Sequence, residues 1–150
     1  MRLKYIIPIF ACIALLLSAC TKNNGPSDIL YGEWKIESMT FPNGSDFYRA
    51  TDDHAFFLAF QSTTARLTKR DGEDYMDCAY GNWEQNQEAK TLIISFPDKR
   101  WQPWKGCGFT GIEEGDIEVP NRFNIALKSS DKLVLVNMDE PYLTYTLVKW

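Results

Sequence analysis

From residue 30 onward, apolar side chains recur at every second position in short runs separated by turn formers, a pattern that admits antiparallel sheet and little else. The first run, Leu30 to Met39, sets the pattern: Trp34, Ile36 and Ser38 share one face, and Glu33, Lys35 and Glu37 share the other. Further runs are expected at Ala55–Gln61, Thr64–Arg70, Tyr75–Gln85, Thr91–Phe96, 123–127, Lys132–Met138 and Tyr142–Trp150. In Ala55–Gln61 both faces are apolar, so one of them needs a second cover besides the core. No helical period of useful length occurs, although a single turn fits near Trp101 or within Phe47–Asp53. Eight short antiparallel strands must either sandwich or close, and a last strand as apolar as Tyr142–Trp150 is a hazard as an open edge. Closing it onto the Trp34 strand removes both edges. The expected fold is therefore all-β, an eight-stranded up-and-down antiparallel β-barrel.

The first 19 residues carry a different signal. Arg2 and Lys4 precede an apolar run from Tyr5 to Leu17, and small residues follow. That order is a secretory signal, and the run is shorter than the roughly 20 residues that span a bilayer core. Leu17-Ser18-Ala19-Cys20 resembles the lipobox of bacterial lipoproteins, which implies cleavage before Cys20 and acylation of its sulfur and freed amine. Several acyl chains give stable anchoring where one is marginal. The expected division is a signal peptide at 1–19, a lipidated cysteine and flexible tether at 20–29, and one barrel domain at 30–150. The tether is polar and without period, and reaches about 16 Å by random-coil scaling. Thr21 is not the aspartate associated with inner-membrane retention, which points to the outer membrane, facing either the periplasm or the cell exterior.

Cleavage removes two of the 16 basic side chains and none of the 20 acidic ones, leaving a net charge near −6. Such acidity argues against nucleic acid or anionic lipid surfaces as partners. Of the four cysteines, Cys78 and Cys107 would face an oxidising compartment, either as separate thiols or as a bridge contributing roughly 3–4 kcal/mol by loop closure. With the single His54 they form no recognised metal-ligand spacing, and no metal or other cofactor is expected. His54 has no nucleophile motif beside it, so no catalytic residue is assigned and the chain reads as a non-enzyme with an exposed loop histidine.

Between the fifth and sixth runs lies a long loop, 97–119, holding Pro103, Gly106, Gly108, Gly111 and Gly115. Loops this long in compact domains have their own packing or a function. Trp101 and Trp104 stand among Lys99, Arg100 and Lys105, so they either stack on a sugar or anion or fold back over the barrel mouth.

Taken in order, several segments resemble the lipocalin-like family, and small bacterial lipocalin-like lipoproteins in particular. Gly32-Glu33-Trp34 is similar to the Gly-x-Trp signature that opens the first lipocalin strand. Gly81-Asn82-Trp83 with Lys90-Thr91-Leu92-Ile93-Ile94 is similar to the mid-domain pattern, and 127–135 with 145–149 to the last hairpin. The resemblance implies structural roles for Gly32 and Trp34, the tryptophan packing across the closed barrel end under a basic residue of the last strand, here Lys149. It also implies a monomer that binds a small hydrophobic ligand. Phe56, Leu58, Phe60, Trp83, Leu92, Phe123 and Tyr145 would line the cavity, with Trp101 and Trp104 as a lid. The alternative is an accessory module that binds protein or glycan through the 97–119 loop.

Overall fold

The computed structural model describes residues 29–99, 108–109 and 120–150. The nine strands found there are β1 (Gly32–Thr40), β2 (Asp46–Arg49), β3 (His54–Gln61), β4 (Thr64–Asp71), β5 (Asp74–Asn86), β6 (Thr91–Lys99), β7 (Asn121–Lys128), β8 (Lys132–Asn137) and β9 (Thr144–Lys149). Each pairs antiparallel with its neighbour in sequence, except that β3 pairs with β1, and β9 returns to β1 to close the barrel. β2 lies along the upper part of β1 and β3 along its lower part, so the two act as one strand interrupted at 50–53. The closed barrel is thus eight-stranded, as the alternation predicts.

Two local expectations are corrected. The stretch 47–53 holds no helical turn: Asp46–Arg49 is strand β2, held to β1 by the pairs Met39–Tyr48 and Ser38–Arg49. The strand expected to stop before Pro97 runs on to Lys99. Its register shifts there, Asn82 facing Ser95 and Tyr80 facing Asp98, and such an irregularity accommodates a residue without an N–H. Opposite the shift stands Gly81, where an added Cβ would lie 1.7 Å from the Ser95 carbonyl oxygen. Only glycine lets the two backbones approach so closely.

The registers define two poles. At one, Gly32 faces Phe60, Trp34 faces Lys149, and Lys132 faces Val148. At the other, Thr40 faces Thr144 and His54 faces Asp71. β6 ends and β7 begins at this second pole, so the long loop belongs to it. The interior between the poles is a single apolar cluster drawn from every strand except β2.

β3 is buried from Ala55 to Phe60 on both faces. Phe56, Leu58 and Phe60 join the interior. Phe57 points outward, where Trp150 and Tyr75 cover it with ring centroids 5.1 and 5.8 Å away. The second cover that the two-sided apolar run requires is therefore a pair of aromatic rings on the outer wall.

Candidate functional site

The interior is sealed at the Gly32 pole by side chains that the sequence marks. Trp34 is fully buried, and its indole nitrogen donates to the Leu30 carbonyl at 2.8 Å. Lys149 Nζ stands 4.3 Å from the centre of the Trp34 ring and donates to the Tyr31 carbonyl. Burial beneath that contact lowers the Lys149 pKa from its ordinary value. Gly32 takes a positive φ of 102°, and the Lys149 stem occupies the space a side chain there would need. The basic cover over the tryptophan is thus present, with lysine supplying it.

Above this seal the predicted lining residues fall into two groups. Phe60 and Trp83 meet at 4.9 Å, with Tyr31 edge-on to Trp83 at 6.1 Å, all near the closed pole. Phe56 lies toward the mouth, 5.3 Å from Tyr48 of β2, whose hydroxyl accepts from the Phe56 amide. Tyr145 lies across the barrel, 5.2 Å from Phe123. Leu58, Leu92 and Phe123 are fully buried in the same cluster. Trp101 and Trp104, as well as Cys20 and Cys107, lie outside the described residues.

The residue that sequence reasoning missed is Phe109. It enters the barrel from the long loop and stands 5.3, 5.7 and 6.1 Å from Tyr145, Phe96 and Phe123, so a ring of the protein's own occupies the mouth half of the interior. Its one available signal is the preceding Gly108, which at φ 77° brings the backbone against Met39 and Tyr145.

Polar groups inside are few. Asn121 donates to the Ile94 carbonyl at 3.3 Å, and Asn137 accepts from the Asp139 amide at 2.7 Å. The Trp83 indole nitrogen is different: like Thr68 Oγ1 and Gln85 Oε1, it is buried and has no hydrogen-bond partner among the described residues. A buried donor left unsatisfied costs about 1–3 kcal/mol. At the mouth, His54 Nδ1 lies 2.8 Å from Asp71, and Lys69 Nζ lies 3.4 Å from the same carboxylate. His54 is exposed, as expected, but it opens strand β3 instead of standing in a loop. Among the described residues no group of three or more His, Cys, Asp or Glu side chains is placed to hold a metal.

Cys78 is buried in the interior cluster on β5, with Phe109 in the same cluster. Its thiol donates weakly to the Met76 carbonyl at 3.6 Å. Among the described residues, surface hollows of about 620 and 340 Å³ lie at the closed-pole ends of β5, β6 and β7. The larger is lined mainly by the polar residues between Glu84 and Glu88, and offers no apolar site.

No protein-family model and no curated protein matches the chain. Two solved structures do. One is described as a lipocalin-like protein from Bacteroides uniformis, 14% identical, with a TM-score of 0.56 over 81% of this chain and 99% of that one. The other is an uncharacterized protein from Bacteroides eggerthii, 16% identical, with a TM-score of 0.59 over the same shares. At these identities the likeness speaks for the fold, which is lipocalin-like.

Proposed function

We propose, with the lipocalin-like barrel as premise, that this is a membrane-tethered binding protein that takes a small hydrophobic ligand into the barrel. The fold is in general one for binding and not for catalysis. The observation that carries the reading is the buried, unpartnered indole N–H of Trp83 beside Phe60 in a largely apolar interior. Such a group suits a ligand with an apolar body and one hydrogen-bond acceptor, the acceptor meeting Trp83 and the body lying along Phe60 and Phe56. Tyr145 belongs to the same apolar cluster from β9, and Trp101 and Trp104 are assigned to the lid.

A titration with cis-parinaric acid, an apolar chain ending in an acceptor carboxylate, tests the reading. Saturable binding is expected, weakened by up to about tenfold in Trp83→Phe, the equivalent of one hydrogen bond. Binding unchanged by that substitution contradicts the role given to Trp83.

Phe109 favours a second reading. A mouth half filled by the protein's own ring suits a plugged barrel acting as an accessory module, which binds protein or glycan through the 97–119 loop. Failure of any apolar probe to bind supports it.

The tether reading places the lipid on Cys20 and the barrel at the outer membrane, facing the periplasm or the exterior. Cys20→Ser is expected to move the protein out of the membrane fraction, and protease treatment of intact cells reports which side it faces. A Cys78–Cys107 bridge is part of the same proposal. Cys78 is buried in the cluster that Phe109 enters, and Cys107 stands two positions before Phe109 in the chain. The unreduced protein is expected to be two hydrogens lighter than the reduced one.

A further inference from the structure

The outer wall carries an aromatic row that the binding reading does not use. Trp150, just after β9, Phe57 of β3 and Tyr75 of β5 stand in a row of ring contacts, with Phe57 almost wholly covered. Trp150 is 59% exposed and Tyr75 56%, so both rings present most of their surface outward. Lys35 Nζ lies 5.6 Å from the Trp150 ring, and Arg70 is on the outer face of β4 beside Ala55. Neither cation has a carboxylate partner within 4 Å among the described residues, whereas Arg66 is paired with Glu33 at 3.5 Å. Of the acids on this side, Asp77 accepts from the Tyr80 hydroxyl at 2.6 Å, and exposed Glu37 lies two positions from Lys35 on the same face of β1. In a chain with a surplus of acids, this wall combines exposed rings with two cations that lack a carboxylate partner: Lys35 stands over the Trp150 ring, and Arg70 Nε donates to the Gly72 carbonyl at 3.2 Å.

We infer that this wall is a membrane-contact face, its partner the phospholipid headgroup layer. The inference rests on the lipid-anchor reading of Cys20. Two observations single out this partner. The Trp150 amide donates to the Glu33 carbonyl at 3.0 Å, so the row begins where the chain enters β1, three residues after Ile29, which is itself 40% exposed. Eight residues separate Ile29 from Cys20, a reach of about 16 Å, which holds this wall within range of the bilayer that carries the anchor. Tryptophan and tyrosine place an apolar ring and a polar edge at the headgroup level, and lysine and arginine extend to lipid phosphates. The barrel then rests on its side along the membrane.

The test uses the lipidated full-length mature protein in vesicles of phosphatidylethanolamine and phosphatidylglycerol. A benzophenone amino acid replaces Tyr75 in one sample and Asn124, exposed on the far wall, in another. Irradiation is expected to give several-fold more lipid adduct at position 75 than at 124, and Lys35→Ala with Trp150→Ala is expected to remove the excess. Protein that floats with the vesicles but crosslinks equally at both positions overturns the contact face and leaves the anchor standing. Protein that fails to float overturns the anchor, and the face with it.

Discussion

The Tyr145 hydroxyl donates to the Gly108 carbonyl at 2.5 Å, fastening a long-loop residue to the last strand across 37 positions of sequence. The next residue, Phe109, is thereby set among Phe96, Phe123 and Tyr145. Tyr145→Phe keeps the ring and loses the bond. It is expected to cost about 1 kcal/mol in urea unfolding. A variant as stable as the parent contradicts the fastening.

Phe109→Ala separates plug from pocket. Removing a ring that is 7% exposed from this cluster is expected to cost about 3 kcal/mol and to leave room for a larger ligand. Tighter cis-parinaric acid binding by the variant, measured under folded conditions, is the expected outcome. Weaker binding would mean that Phe109 forms part of the ligand's wall.

Gly81 is expected to be the least replaceable glycine among those described. Gly81→Ala drives a methyl into the Ser95 carbonyl, so β5 or β6 must shift, at a cost of about 3 kcal/mol, the upper end for overpacking. A loss below about 0.5 kcal/mol, the ordinary range of a surface change, contradicts the close crossing.

Lys149 gives the fold a pH dependence of known sign. Burial lowers its folded-state pKa below the unfolded value, so between those two values the unfolded chain holds more protons than the native one. Stability from this group therefore rises with pH across the window that ends near the ordinary lysine value, and the charged group is a cost below it. In Lys149→Met that rise is expected to vanish from denaturant midpoints measured up the alkaline limb. The same alkaline slope in both proteins contradicts the desolvation of this ammonium.

Much of the barrel was legible because a half-buried strand writes its period into the chain. Trp34 and Ile36 alternating with Glu33 and Lys35 place β1, and the two-sided run Ala55–Phe60 announces an outer cover without naming it. Trp150 and Tyr75 supply that cover from distant sequence, a contact that only the closure of β9 onto β1 creates. β2 was hidden because Asp46–Arg49 is largely exposed and carries no inward stripe. Pro97 hid the end of β6 because a proline speaks against a strand unless a register shift receives it. Within the site, Trp83, Phe60, Phe56 and Tyr145 were visible as apolar positions on alternating strands. Phe109 was not, since a ring that enters a barrel from an irregular segment leaves no periodic mark.

A ligand-binding interior is tested by native mass spectrometry of the mature protein, purified without detergent from an oxidising compartment and then offered cis-parinaric acid. The expected result is a non-covalent adduct of one small molecule per barrel, either retained from the cell or formed with the probe, that disappears on denaturation. A bare protein mass under both conditions would contradict a ligand-binding interior and leave the barrel a plugged module.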